Sequence, residues 1–326
     1  MEQRVRKRQP RVGTTGVGRV AVVAALVALM GTAVPTSNLA APQVPPDKGN
    51  RISIQAPGHE PVTLYYEEQG AGPPLLLLHG LGESIFTWRE ILPALTASHR
   101  VIALDLKGFG RSDKPDDRAY SADDQAALVA QFIVKQDLRD LTLVGHSFGG
   151  TVALRTALTD GIAGTARIRR IAVIGAPALP HTAASHLDLV MTPVVPDAMT
   201  GILPAKAMAR LLLREAMGGR EPSERLVEGY AAPYRDEGAM RAFLATARSI
   251  VGERDADAVA ARYRAVRQPV LIVWCREDPI VPLRSGKRLA AALPRDRLAI
   301  LEGCHHLPQH ERPRQLVRTL TRFLGR

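Results

Sequence analysis

A serine stands at the apex of a glycine-rich turn between an apolar run and a helix-forming run. Residues 141–144 (Leu-Thr-Leu-Val) are typical of a buried strand, residues 145–150 read Gly-His-Ser-Phe-Gly-Gly, and a helical pattern follows over 151–158. The glycines permit a turn too tight for side chains, and the helix directs its free N–H groups and positive dipole end toward Ser147. This strand, turn and helix form a nucleophile-elbow pattern, so the sequence predicts Ser147 as a nucleophile.

Candidates for a base and an orienting acid follow two further apolar runs downstream of Ser147. A serine hydroxyl needs both groups, because the base takes its proton and the acid orients the base. The run 269–275 leads to Asp278, and the run 298–301 leads to His306. Each group comes directly after a predicted strand, in the order serine, acid, histidine. The sequence therefore predicts a catalytic triad at the carboxyl edge of a parallel sheet.

Strand-like and helix-like segments alternate along most of the chain. Strands are predicted near 52–56, 62–68, 74–79, 100–105, 140–145, 170–175, 269–275 and 297–302. Helices are predicted near 86–97, 122–137, 148–160, 284–293 and 311–324. This alternation indicates an α/β fold with a mostly parallel sheet covered by helices on both faces, and 326 residues suffice for one such domain with an insertion.

Five motifs in this order resemble those of the α/β-hydrolase superfamily, in its form with a helical cap. They are His-Gly-Leu-Gly at 79–82, Asp-Leu-Lys-Gly-Phe-Gly-Arg-Ser-Asp at 105–113, the elbow, and the loops that carry Asp278 and His306. The resemblance covers about residues 52–326. It implies the α/β-hydrolase fold, an eight-stranded, mostly parallel sheet with helices on both faces and a helical cap inserted after the sixth strand.

The resemblance aligns Asp278 with the family's acid and His306 with its base. Each has an alternative one residue earlier in the chain, Glu277 for the acid and His305 for the base. The match to the family favours Asp278 because Pro-Ile-Val-Pro follows it, and it favours His306 because Glu-Arg-Pro follows a few residues later.

The resemblance also implies where a developing oxyanion would be stabilised. The family places one backbone N–H donor on the residue after the nucleophile, here Phe148, and a second after the His-Gly of the third strand, here Leu81. Donors of this kind contribute about 3–4 kcal/mol each to stabilisation of the transition state.

Serine at the elbow narrows the chemistry that the resemblance implies. Relatives that open epoxides or displace halide use Asp at this position, so Ser147 predicts acyl transfer to water. The first expectation is cleavage of a carboxylic ester through an acyl-enzyme intermediate. The alternative is a carbon–carbon bond hydrolase of dienoic ring-fission products. A hydrolase fold that serves only as a binding protein is disfavoured, because the chain keeps all three triad residues and the oxyanion glycines.

Neither a metal nor an organic cofactor is expected, because the sequence has no Cys/His cluster with ligand spacing and no phosphate-binding loop. The formal net charge is +11, but the Arg residues are scattered and no nucleic-acid-binding pattern is present. The predicted partner is therefore a small-molecule acyl ester, with no role for nucleic acid.

Residues 178–266 interrupt the alternation with consecutive helical patterns, at the place where the superfamily inserts its cap. This divides the chain into a core of residues 52–177 and 267–326 and a cap of residues 178–266. Because caps cover the pocket, some of the large apolar and aromatic cap residues are expected to line it. The candidates are Met191, Met199, Leu203, Met208, Leu212, Tyr230, Tyr234, Met240 and Phe243.

The N-terminal segment has the layout of an export signal. Residues 1–19 contain six basic residues and one acidic residue, and an uncharged run of small and apolar residues follows over 20–34. Residues 1–41 are predicted to be a cleaved signal peptide or a membrane anchor, with the enzyme outside the cytoplasm, and residues 42–51 a linker.

The two cysteines, Cys275 and Cys304, fall near the ends of strands that are adjacent in the family's sheet. A disulfide between them would suit an exported enzyme and would stiffen the loops of Asp278 and His306. Unpaired, half-buried thiols are the more common outcome, and they are the expectation here.

Overall fold

The computed structural model describes residues 49–58, 60–159, 166–180, 204–252 and 255–325. Within these residues an eight-stranded sheet forms the centre of the fold. Each strand lies within two residues of its predicted position. The strands are β1 (Asn50–Ile54), β2 (Val62–Gln69), β3 (Pro74–Leu78), β4 (Arg100–Leu104), β5 (Leu141–His146), β6 (Ile168–Ile174), β7 (Val270–Cys275) and β8 (Asp296–Leu301).

The sheet has the strand order β1-β2-β4-β3-β5-β6-β7-β8. Strand β2 runs antiparallel to its neighbours β1 and β4, and all other neighbours pair in parallel. The predicted fold class is thus confirmed. Gly145 of β5 lies opposite Leu78 of β3 and Val173 of β6, so the elbow emerges between the loops that follow those two strands.

Ten helices are seen in the described residues. They are α1 (Leu92–Thr96), α2 (Ala122–Lys135), α3 (Phe148–Thr159), α4 (Ala205–Ala216), α5 (Glu224–Ala231), α6 (Ala239–Gly252), α7 (Ala256–Tyr263), α8 (Leu283–Ala292), α9 (Pro308–Glu311) and α10 (Pro313–Leu324). Two 3₁₀ turns are also present in these residues: Ile85–Trp88 precedes α1, and Ala232–Arg235 lies between α5 and α6.

Helices cover both faces of the sheet because alternate strand residues point to opposite sides. Leu76 and Leu78 of β3 belong to a buried cluster that also contains residues of α2, α3, α7 and α8. Leu75 and Leu77 belong to a second cluster, which contains residues of α1 and α10. Strands buried on both faces read as continuous apolar runs, which is why β3 is Pro-Leu-Leu-Leu-Leu. Full burial of one such leucine contributes roughly 2 kcal/mol.

The helix predicted near 86–97 is divided in the structure into a 3₁₀ turn, Ile85–Trp88, and the short helix α1. Pro93 explains the division, because proline lacks an N–H and its ring clashes with the carbonyl four residues earlier in a continuous helix. Ser84 begins the 3₁₀ turn by accepting a hydrogen bond from the Phe86 N–H.

Helices α4 to α7 lie in the chain between β6 and β7, within the predicted cap. Leu213 of α4 and Val227 of α5 belong to a small apolar cluster with Leu307 from the C-terminal part of the chain. Tyr263 of α7 packs instead into the main cluster on the sheet. Residues 181–203 of the predicted cap lie outside the described residues, and the cap boundaries stay predictions.

The predicted signal or anchor, residues 1–41, lies outside the described residues, as does most of the predicted linker. Strand β1 begins at Asn50, before the predicted end of the linker at residue 51. No helix in the described residues is both long and apolar enough to cross a membrane.

Candidate active site

Ser147 occupies a strained turn between β5 and α3. Its φ of +49° lies in the left-handed region, which costs a non-glycine residue roughly 1 kcal/mol or more. The flanking glycines are required by space. A Cβ on Gly145 would overlap the carbonyl oxygen of Gly149, and a Cβ on Gly149 would overlap the carbonyl oxygens of Leu78 and His79. The turn therefore places the Ser147 side chain outside both the strand β5 and the helix α3.

A chain of hydrogen bonds joins the three residues of the predicted triad. The Ser147 hydroxyl donates to Nε2 of His306 at 3.0 Å, and Nδ1–H of His306 donates to Oδ2 of Asp278 at 2.8 Å. Because a carboxylate only accepts, Nδ1 carries the proton and Nε2 is free to receive one. The other Asp278 oxygen accepts from the backbone N–H groups of Ile280 and Val281, at 2.9 and 2.8 Å, which fixes the carboxylate.

The two alternative residues lie elsewhere. Glu277 is exposed. Nδ1 of His305 lies 2.8 Å from Oε1 of Glu311, and Arg220 also contacts both of these side chains. The structure thus brings Asp278 and His306, and not their neighbours, to Ser147.

The two predicted oxyanion donors line the same cavity as Ser147. Phe148 is the first residue of α3, where backbone N–H groups have no partner within the helix. Leu81 lies in the loop after β3, next to Gly80, whose own N–H donates to the Glu83 carboxylate at 2.9 Å. The assignment of Leu81 and Phe148 as donors stays a prediction.

A buried pair that the sequence analysis missed, Glu83 and His146, lies behind the triad. Nδ1–H of His146 donates to Glu83 at 3.1 Å, and Nε2–H donates to the His306 carbonyl oxygen at 2.8 Å. Burial raises the pKa of Glu83, but the charge and hydrogen bond of His146 outweigh burial and lower it to about 2. Burial lowers the pKa of His146, yet Glu83 outweighs this and raises it. The pair is therefore ionised.

The cavity above Ser147 is largely apolar. Four of the nine cap residues predicted to line it do so: Leu212, Tyr230, Tyr234 and Phe243. Met208 and Met240 are not among the lining residues. Met191, Met199 and Leu203 lie outside the residues that the structure describes. Four smaller or aliphatic cap residues, Ala209, Leu213, Ala216 and Ile250, also line it. Core residues supply the remainder of the described wall, including Leu81, Gly82, Glu83, Phe148, Pro177, Ile280, Val281 and Leu307.

Cys275 and Cys304 form a disulfide, so the expectation of unpaired thiols was wrong. Cys275 ends β7 and pairs in register with Leu301 at the end of β8, which brings the Cys304 Cα to 5.4 Å from the Cys275 Cα. This separation is within the range that a disulfide spans. The bond joins the strand before Asp278 to the loop of His306.

A family model described as the α/β hydrolase fold matches residues 73–313. The chain is an α/β hydrolase. The 2-hydroxymuconate semialdehyde hydrolase of Pseudomonas sp. (strain CF600) is 31% identical to it over 293 residues, which cover 87% of this chain and 96% of that relative. The 2-hydroxy-6-oxo-2,4-heptadienoate hydrolase of Pseudomonas putida is 31% identical over 264 residues, covering 78% of this α/β hydrolase and 90% of the relative.

A solved structure has the same fold as this α/β hydrolase. The meta-cleavage product hydrolase from Pseudomonas fluorescens IP01 superposes with a TM-score of 0.68 at 28% identity, covering 84% of this chain and 97% of that one. The names of these relatives favour the carbon–carbon alternative over the ester cleavage that the sequence analysis expected first.

Proposed function

We propose that this α/β hydrolase attacks a carbonyl carbon with Ser147 while His306 accepts the hydroxyl proton. The observation that carries the proposal is the continuous hydrogen-bond chain from Ser147 through His306 to Asp278. Asp278 holds His306 in the tautomer that accepts the proton and stabilises the imidazolium that forms.

In the proposed reaction, the tetrahedral oxyanion lies between the N–H groups of Leu81 and Phe148. His306 then donates its proton to the leaving group, and an acyl group stays on Ser147. Water, deprotonated by His306, attacks this acyl-enzyme and releases the acid, which restores the free serine.

The lining of the cavity supports an uncharged ester as the substrate. It includes no Lys or Arg within the described part of the chain. A substrate carboxylate buried in such a cavity would lose its hydration without gaining a cation. Because this lining belongs to the chain itself and the named relatives share only 31% of aligned residues, we place the ester first.

Carbon–carbon bond hydrolysis of dienoic ring-fission products is the second candidate. The similarity to two relatives named for such substrates supports it. The same serine, histidine and oxyanion donors would serve this reaction, because it also begins at a carbonyl carbon. It requires the pocket to accept the carboxylate of the dienoic acid.

A direct comparison of substrates tests both candidates. Initial rates of the full chain are measured with p-nitrophenyl esters from acetate to palmitate and with 2-hydroxy-6-oxohepta-2,4-dienoate. We expect ester turnover that peaks at one chain length and exceeds dienoate turnover by about a hundredfold in kcat/KM. A higher kcat/KM for the dienoate would give precedence to the carbon–carbon candidate. Folded protein that turns over neither substrate would contradict both.

Variants at neighbouring positions supply matched controls. Ser147→Ala, Asp278→Ala and His306→Ala are expected to lower kcat by roughly a thousandfold or more. Glu277→Ala and His305→Ala, which change side chains one residue away, are expected to retain most of the activity. Equal losses in both sets would contradict the assignment of the triad.

We further propose that the protein works outside the cytoplasm, released from or anchored by residues 1–41. The basic head followed by an uncharged run supports this location, and so does the disulfide, because such bonds persist in oxidising compartments. Cell fractionation of the full chain, compared with a chain that lacks residues 1–41, tests it. Recovery of both in the cytosol, with both cysteines open to alkylation, would contradict the proposal.

A further inference from the structure

Two tyrosines from the cap, Tyr230 and Tyr234, bring hydroxyl groups into the wall of the apolar cavity. The Tyr230 hydroxyl lies 2.8 Å from Oγ1 of Thr87 and 2.9 Å from Nε2 of His310, so the protein itself satisfies it. The Tyr234 hydroxyl oxygen is also buried, but it has no hydrogen-bond partner anywhere in the described parts of the chain. The Tyr230 hydroxyl thus has hydrogen-bond partners within the protein, as a structural tyrosine does, whereas the Tyr234 hydroxyl is free to donate.

The position of the Tyr234 hydroxyl connects it to the reacting centre. It lies against Gly82, the residue after the predicted oxyanion donor Leu81. A Cβ on Gly82 would overlap the Tyr234 oxygen and would come within 3.0 Å of the Phe243 ring. The Tyr234 and Phe243 rings pack edge to face, with centroids 6.0 Å apart. Packing against Gly82 and Phe243 holds the phenol beside the loop after β3, which carries Leu81.

An unpaired buried donor weakens a fold, because the group has lost water without gaining a partner. Native proteins pair most such groups, so an exception in a ligand cavity points to a partner that arrives with the ligand. Burial, reinforced by the nearby Glu83 carboxylate, raises the pKa of Tyr234. The phenol therefore keeps its proton and remains a donor.

We propose that the Tyr234 hydroxyl donates a hydrogen bond to a substrate oxygen other than the reacting carbonyl oxygen, and that the substrate is an ester with an additional oxygen close to the scissile bond. The inference rests on the proposed function, since it places the substrate carbonyl at Ser147. Tyr234 then determines specificity, because a substrate without that oxygen leaves the phenol unpaired.

Isosteric substrate pairs test the proposal in the wild type and in Tyr234→Phe. On the acyl side, p-nitrophenyl methoxyacetate is compared with p-nitrophenyl butyrate, and on the alcohol side, 2-methoxyethyl butyrate is compared with butyl butyrate. We expect Tyr234→Phe to lower kcat/KM by about tenfold for the oxygen-bearing member of one pair and by less than about threefold for its partner. The pair that responds locates the oxygen. Equal losses within both pairs would overturn the proposal.

Thermal unfolding without ligand supplies an independent readout. Tyr234→Phe removes an unpaired hydroxyl, so its Tm is expected to equal or exceed that of the wild type. Tyr230→Phe is the matched control and is expected to lower the Tm, because it leaves Nε2 of His310 without its partner and removes one of the two side-chain partners of Thr87. A decrease for Tyr234→Phe as large as that for Tyr230→Phe would assign its hydroxyl a structural role and overturn the proposal.

A binding experiment separates failure of this inference from failure of the proposed function. Calorimetry compares the same esters on Ser147→Ala and on Ser147→Ala/Tyr234→Phe, in which turnover is not needed. Tighter binding of an oxygen-bearing ester that depends on Tyr234 supports the inference even if the wild type hydrolyses none of these esters. If the affinity for both members of both pairs is the same with and without the Tyr234 hydroxyl, the inference is overturned, while the proposed triad chemistry is unaffected.

Discussion

At the scale of single residues, Glu83 and His146 connect the three loops of the site. Glu83 accepts from Gly80 in the oxyanion loop, His146 directly precedes Ser147 in the elbow, and His146 donates to the carbonyl of His306. A shift of one loop relative to another would break a charged hydrogen bond in a dry environment. The pair therefore fixes the relative positions of Ser147, His306 and the loop that carries the predicted oxyanion donor Leu81.

The Glu83 carboxylate is expected to make stability depend on acid pH. Its pKa falls from 4.5 to about 2 in the folded protein, so its contribution is fully present above about pH 4.5 and is lost as the pH falls toward 2. Glu83→Gln should lower the free energy of unfolding by roughly 3 kcal/mol at neutral pH. Urea titrations of both proteins should show this difference shrinking as the pH falls through that window.

Glu90→Gln serves as the control, since Glu90 is also a glutamate in the segment between β3 and α1 but its side chain is exposed. Its stability is expected to follow the wild type across the whole range. A Glu83→Gln difference that stays constant down to pH 2 would contradict the ionised pair, because the loss would then come from packing rather than charge.

Sequence alone predicted three residues that the structure brings together, because each is tied to a local motif. Ser147, Asp278 and His306 each follow a strand, and a strand's end can be recognised from composition. Glu83 and His146 could not be assigned in this way, since the two partners lie 63 residues apart in the chain. The sequence named Tyr234 as a cavity-lining candidate, but not that its hydroxyl is buried without a partner in the described residues. His146 stands in the elbow motif itself, but only the approach of the loop after β3 shows which acid it meets.

At the scale of elements, the disulfide between Cys275 and Cys304 links β7 to the loop after β8. It closes a loop with a sequence separation of 29 residues, and such a crosslink stabilises a fold by about 3–4 kcal/mol, chiefly through the unfolded chain. Asp278 and His306 lie directly beyond the two cysteines. The bond therefore holds together the two loops that carry acid and base.

Removal of this bond is expected to reduce both stability and turnover. Cys275→Ala/Cys304→Ala should lower the free energy of unfolding by about 3 kcal/mol, and its kcat should fall because the Asp278–His306 contact loosens. Dithiothreitol should shift the denaturation midpoint of the wild type toward that of the double variant and leave the variant unchanged. A wild type that denatures identically with and without reductant would argue that the bond does not stabilise the fold.

Central strands such as β3, β5 and β7 were predicted within two residues because burial on both faces leaves a nearly continuous apolar run. Helix limits were predicted less well. The helix expected near 86–97 is interrupted before Pro93, and the helix expected from 311 begins at Pro313, after the separate short helix α9. The cysteine pairing required the register of β7 and β8, which composition does not encode.

At the scale of the whole molecule, the chain carries a formal net charge of +11. Residues 1–19, which lie outside the described residues, account for +5 of it, and the rest of the chain carries +6. Folding brings these remaining charges closer together than they are in the unfolded chain, so repulsion opposes the compact state. Local ion pairs such as Arg100–Glu68 and Arg210–Glu224 act in the opposite direction, but exposed pairs contribute little.

The net charge is expected to make the protein more stable as salt is added. Raising NaCl from about 20 mM to about 300 mM shortens the range of the repulsion and should increase the Tm. Differential scanning fluorimetry across this range measures the trend. A Tm that decreases steadily with salt would mean that the surface ion pairs outweigh the excess positive charge.

The positions of the triad residues along the chain have a consequence for biosynthesis. Ser147 precedes the inserted helices α4 to α7, whereas Asp278 and His306 follow them. A ribosome therefore delivers Ser147 long before Asp278 and His306, and the last strands, β7 and β8, precede the loops that complete the predicted site. A fragment that stops short of these loops lacks the predicted acid and base, so a newly made chain does not assemble the triad until its synthesis is almost finished.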